Sequence, residues 1–119
     1  MIQHKYGEFS DMQFSEAKQY LRKRIFFLLL VAEDLETREK FPDVDLQLAH
    51  TSVLYKISGL NDLLFQPAEV VSALSLLEEA DKLIKGKFDF ATYRKLILEA
   101  GAEIDKICAS PRKEADTNA

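Results

Sequence analysis

The chain predicts an all-α fold: an antiparallel four-helix bundle, up-down-up-down, with a long first helix. Three observations carry this. Apolar residues recur with a 3.6-residue period over long windows, while strict alternation is short and local. The chain has only four glycines and three prolines, placed mostly between the periodic segments. The intervening stretches, Phe41 to Asp43, Phe65 to Gln66 and Gly86 to Asp89, are short, and short loops make successive helices antiparallel neighbours.

The first helix is expected from about Asp11 to Lys40. Ser10 is an N-cap with Gln13 at the capping-box position, and Phe9 and Phe14 form a hydrophobic staple across the entry turn. Pro42 ends the segment, because the residue before a proline is pushed out of the α region. At about 1.5 Å per residue the helix would be roughly 45 Å long.

The second helix is expected from about Val44 to Leu64, with Asp43 as N-cap. Leu46, Ala49, Val53, Ile57, Leu60 and Leu64 form its stripe. Gly59 lies off that stripe and marks either a close helix approach or a break, with Asn61 and Asp62 opening a further turn. The third helix is expected from about Pro67 to Lys85, with Pro67 at N1, Glu69 at N3 and Gly86 at C′. Phe65 and Val70 would staple its start. Its stripe is Val70, Ala73, Leu74, Leu77, Ala80 and Ile84. The fourth helix is expected from about Phe90 to Cys108, with Asp89 as N-cap and Phe88 with Tyr93 as staple. Phe90, Tyr93, Ile97, Ala100, Ile104 and Cys108 make its stripe, and Pro111 closes it. Residues 1–109 thus read as one domain, followed by a small, polar tail at 110–119 expected to be disordered.

The first helix has more apolar surface than one core needs. On a wheel of about 100° per residue, Phe14, Ala17, Leu21, Ile25, Leu28, Ala32 and Leu35 share one face. Phe26 and Leu30 fall on nearly the opposite side, one turn apart, with Phe27 and Tyr20 on one flank and Leu29 on the other. Around them lie Met12, Gln19, Lys23, Glu33 and Thr37. A short apolar patch rimmed by charge has the layout of an interface. Leaving Phe26 and Leu30 in water forgoes about 1.5–3 kcal/mol each. Either the chain's own segment Met1 to Phe9 covers this face, or a partner does. A second copy packed helix to helix about a twofold axis is the favoured partner. Phe26, Phe27 and Leu30 are the expected anchors, with Lys23 and Glu33 at the rim.

Composition limits the alternatives. The 119 residues suffice for a core without disulfides or metals. A net charge of −4 argues against general binding to nucleic acid or anionic membrane. One cysteine allows no internal disulfide and fits a reducing compartment, and the longest apolar run is far shorter than the roughly 20 residues of a membrane span. A cytoplasmic protein is the expectation.

No catalytic signature assembles. His4 and His50 are the only histidines, and neither belongs to a zinc or di-iron motif. His50, at the edge of the second stripe, reads as a structural histidine. Cys108, on a core stripe near a helix C-terminus, reads as an inert thiol. Glu33 with Glu36, and Glu78 with Asp81, are i,i+3 pairs that place two carboxylates on one helix face, where two helices together could hold Mg²⁺. These four residues resemble the E-x-x-E and E-x-x-D pairs of the all-helical nucleotide pyrophosphatases, and the resemblance implies Mg²⁺-dependent hydrolysis as an alternative function. The pairs are farther apart than in that family, and no lysine or arginine pattern accompanies them. Asp34–Arg38, Glu78–Lys82 and Asp81–Lys85 have the spacing of ordinary surface ion pairs. Lys18, Arg22, Lys23 and Arg24 are the one basic cluster, the basis of a second alternative as a weak nucleic-acid-binding regulator. On a helix they point in different directions, Arg24 within the core arc. The favoured expectation is a non-enzymatic helical interaction or regulatory module, with no cofactor, that self-associates through its first helix.

Overall fold

A computed structural model describes residues 2–107 of the chain. It is a four-helix bundle: α1 (Asp11–Glu33), α2 (Leu46–Leu63), α3 (Ala68–Lys85) and α4 (Phe90–Asp105). Each helix packs against the next, and α1 also packs against α4, which closes the bundle into a square. α1 and α4 run antiparallel: Arg22 lies 3.2 Å from Asp105 at one end, and Glu33 shares a groove with Phe90 at the other. α1 is the longest helix, at 23 residues. Cys108 and the tail at 110–119 lie outside the described residues.

The core is the one the periodicity defines. Phe14, Leu21, Ile25 and Leu28 of α1 meet Val53 and Ile57 of α2, Val70, Ala73 and Leu77 of α3, and Tyr93, Ile97 and Ile104 of α4, all buried. Ser10 and Gln13 form the expected capping box, and Asp89 caps α4 through the Thr92 backbone N–H and hydroxyl. Both aromatic staples at those ends are present, Phe9 on Phe14 at 6.1 Å and Phe88 on Tyr93 at 5.3 Å between centroids.

Four local expectations are corrected. α1 ends at Glu33 rather than Lys40, because the Asp34 side chain takes over the backbone beyond it. The Asp34 carboxylate accepts from the Thr37 hydroxyl (2.8 Å) and from the backbone N–H groups of Glu39 (3.1 Å), Lys40 (3.2 Å) and Phe41 (2.8 Å). Four donors on one carboxylate fold residues 35–41 into a loop that no helix could make, with Arg38 at a positive φ of 54°. α2 starts at Leu46, capped by Asp45 rather than Asp43, since Asp45 accepts from the N–H groups of Gln47 and Leu48. α2 then runs without a break through Gly59. Pro67 is the N-cap of α3 rather than its N1 residue, and no side chain caps that end. Phe65 therefore misses the staple position and is 62% exposed. It instead occupies the C′ site of a Schellman motif closing α2. There Gln66 N–H donates to Asn61 O (2.8 Å) and Phe65 N–H to Asp62 O (3.4 Å), and both residues have positive φ, 58° and 63°.

The N-terminal segment is a two-stranded antiparallel hairpin, β1 (Ile2–His4) and β2 (Gly7–Phe9), paired Ile2 to Phe9 and His4 to Gly7. It docks on one end of the bundle. Lys5 N–H donates to Leu63 O at 3.0 Å, and Lys5 Nζ lies 2.9 Å from an Asp62 carboxylate oxygen.

Candidate functional site

The five residues expected to form a contact surface come together. Lys23, Phe26, Phe27, Leu30 and Glu33 of α1 line a shallow groove of about 460 Å³, joined by Leu29 and by Phe90 and Arg94 of α4. α1 supplies the floor because its core stripe faces inward and the opposite stripe cannot. α4 supplies one wall because it runs antiparallel beside α1. No hairpin residue lines the groove, so residues 2–9 do not cover this face.

The chain does cover part of the surplus. Phe26 leans over α4, where a Cβ added at Gly101 would sit 3.4 Å from the Phe26 ring. Gly101 is thus a small residue that admits a large one. The Arg22 guanidinium lies 5.0 Å from the same ring, on the side of Asp105. On the other flank, Phe27 meets Phe41 edge to face at 5.1 Å, with Arg24 5.4 Å from its ring. Phe41 is held there by the loop that Asp34 organises. Among the described residues Leu30 has no such cover, and it remains 47% exposed at the centre of the groove. An apolar centre between a cation at Lys23 and an anion at Glu33 is the arrangement of a small interface.

The basic cluster disperses. Lys18 Nζ donates to Asp105 O (3.1 Å) and Ile107 O (2.7 Å), neutralising the carbonyl end of α4. Arg22 turns to α4, Lys23 to the groove and Arg24 to Phe27. The four do not form one stripe.

The carboxylate pairs also stay apart. Glu33 and Glu36 belong to α1 and the loop after it, Glu78 and Asp81 to α3, and α1 and α3 sit diagonally in the square. Asp81 pairs with Lys85 at 2.8 Å. Among the described residues, no group of three or more His, Cys, Asp and Glu side chains could hold a metal ion.

His50 is fully buried and doubly bonded. Its Nε2 lies 2.7 Å from Leu77 O and its Nδ1 2.9 Å from the Tyr93 hydroxyl. A carbonyl can only accept, so Nε2 carries the proton and Nδ1 accepts from Tyr93. One side chain thereby ties α2, α3 and α4 together. Burial depresses the His50 pKa, opposed by the Leu77 carbonyl and by Asp81, and burial raises that of Tyr93. Both groups are neutral at pH 7, a structural arrangement rather than an acid–base pair.

The sequence reading missed a second exposed apolar surface. Leu48 and Tyr55 of α2 are 70% and 75% exposed, more than Leu30 of the α1 groove at 47%, and frame a hollow with Thr51, Ser52 and Lys56. The only signal was their seven-residue spacing opposite the α2 stripe.

Comparison with protein-family models, with curated proteins and with solved structures found no match for this chain. Among the described residues, no helix is long and apolar enough to cross a membrane.

Proposed function

We propose that this protein is a helical protein–protein interaction module that self-associates through the outward face of α1. The observation that carries the reading is Leu30, half exposed at the centre of a groove floored by Phe26 and Phe27 and rimmed by Lys23 and Glu33. The chain's own hairpin is engaged at the Leu63 end of α2 and leaves this groove open.

A second copy suits the groove because its charges are self-complementary. Lys23 and Glu33 flank Leu28 at equal distances along α1. Two antiparallel α1 helices related by a twofold axis at Leu28 bring Lys23 of one copy level with Glu33 of the other, twice over. Phe26 and Leu30 are likewise exchanged about that axis. Parallel pairing would put like charges level and loses both attractions.

Charge reversal tests the pairing. Sedimentation equilibrium on Lys23→Glu and on Glu33→Lys is expected to show weakened association in each. The double variant, in which opposite charges face each other again, is expected to recover most of it. Two single effects that simply add in the double variant would contradict the antiparallel register.

A further inference from the structure

We propose that the outward face of α2 is a second contact surface, and that its occupant is α2 of another copy, antiparallel about a twofold axis between Val53 and Leu54. The starting point is a glycine that the fold does not require. Gly59 lies inside a continuous helix, is exposed, and has no heavy atom within 4 Å of where its Cβ would be. Its φ is not in the positive range that calls for glycine. A glycine at an exposed interior helix position costs about 1 kcal/mol relative to alanine, and among the described residues nothing uses the space it leaves. Such a position admits the close approach of another helix.

The same face carries what would fill that space. Leu48, Ser52, Tyr55 and Gly59 follow one another at four, three and four residues, the spacing of a helix-packing seam. Large and small side chains alternate along it. Leu48 and Tyr55 stand 70% and 75% exposed. Ser52 is kept low by Lys56, whose Nζ donates to its hydroxyl at 3.0 Å. The order is self-complementary. About the proposed axis, Leu48 of one copy falls opposite Gly59 of the other, and Tyr55 opposite Ser52. Each large residue meets a small one, and both contacts occur twice. A shift of one turn sets Tyr55 against Leu48 and loses the match.

Charge does not oppose the pairing. The register brings Asp45 level with Asp62, but both carboxylates are already engaged. Asp45 accepts from the first N–H groups of α2, and Asp62 is paired with Lys5 at 2.9 Å. Thr51 falls opposite Lys56, which places an uncharged hydroxyl by the ammonium.

This surface is separate from the α1 groove and stands without it. With both present, each copy has two twofold faces on neighbouring helices, which build a closed tetramer or an open chain rather than a dimer.

The test uses the full chain with Leu30→Glu, so that any association left belongs to α2. Gly59→Leu fills the notch at an exposed position where a Cβ meets no heavy atom within 4 Å, so the variant is expected to fold, with helical content unchanged by circular dichroism. The expected result is a concentration-dependent dimer for Leu30→Glu and a monomer once Gly59→Leu is added. Register is read separately by cross-linking in a Cys108→Ser background. Leu48→Cys/Gly59→Cys is expected to give a disulfide-linked dimer under mild oxidation, and either single substitution far less. Equal mass with and without Gly59→Leu overturns the proposal. So does a double-cysteine variant that cross-links no better than the single ones.

Discussion

The most constrained residues are two polar groups that organise whole segments. His50 donates to one helix and accepts from another, and it can do so only while neutral. Its folded pKa lies below the ordinary 6.5 because burial penalises the imidazolium. The unfolded chain therefore takes up a proton near pH 6.5 that the folded chain refuses. Stability contributed in this way is intact above that value and falls as pH drops below it, with a limiting slope of about 1.4 kcal/mol per pH unit. Chemical denaturation between pH 7 and pH 5 is expected to show this loss, and His50→Gln, which keeps a donor and an acceptor but does not titrate, is expected to remove most of it. Asp34 acts on a shorter range. Burial works against its charge, but the donors from Phe41, Thr37, Lys40 and Glu39 outweigh that and hold its carboxyl below the ordinary carboxylate range. Asp34→Ala is expected to release the 35–41 loop. Hydrogen exchange would then speed up at the Glu39, Lys40 and Phe41 amides and leave the buried turns of α3 and α4 protected. Phe27 would lose its edge contact with Phe41 in the same variant, so the groove would change shape without any groove residue being altered.

The termini of the elements depart most from expectation. Capping signals were legible at Ser10 and Asp89, and the aromatic staples followed with them, whereas at α2 the cap is Asp45 rather than the expected Asp43. They were illegible where a side chain reaches forward along the chain. The Asp34 loop depends on a carboxylate that meets amides up to seven residues later, and a helical wheel carries no signal for that. The hairpin was illegible for another reason: strands of three residues are too short for alternation to stand out. Phe65 shows local geometry overriding residue preference. The C′ site of a Schellman motif takes glycine most readily, because a Cβ is strained in the left-handed region. Phe65 holds it at φ 63° while remaining mostly exposed, and so recovers little through burial. Phe65→Gly is expected to stabilise the protein by about 1 kcal/mol, measured as a higher denaturation midpoint with an unchanged slope. Gly86 is the converse case. It closes α3 at a negative φ, and its value lies in space, since a Cβ there would come within 3.1 Å of Lys82 O.

At the scale of the molecule, a square bundle has four inward stripes and four outward ones, and its outward stripes are normally polar. Here two are not. The α1 surplus was legible because Phe26, Phe27, Leu29 and Leu30 crowd into one run that no single stripe can absorb. The bundle then showed how much of it is internal: Phe26 borrows space from Gly101, Phe27 borrows a ring from Phe41, and Leu30 is left over. The α2 surface was illegible because Leu48 and Tyr55 stand singly among polar neighbours, and scattered exposed apolar residues are ordinary. Only the exposed glycine beside them changes their meaning. The two carboxylate pairs illustrate the limit of spacing arguments, since each pair shares a helix face while the helices that carry them are diagonal.

The central claim is that the outward face of α1 joins copies of this chain, and light scattering on the wild type and Leu30→Glu tests it most directly. Leu30 is half exposed, so the substitution is expected to leave the thermal midpoint and helical content nearly unchanged. The account predicts an associated wild type whose mass falls at least twofold in Leu30→Glu. A monomeric wild type, or a mass that the substitution does not alter, would contradict it.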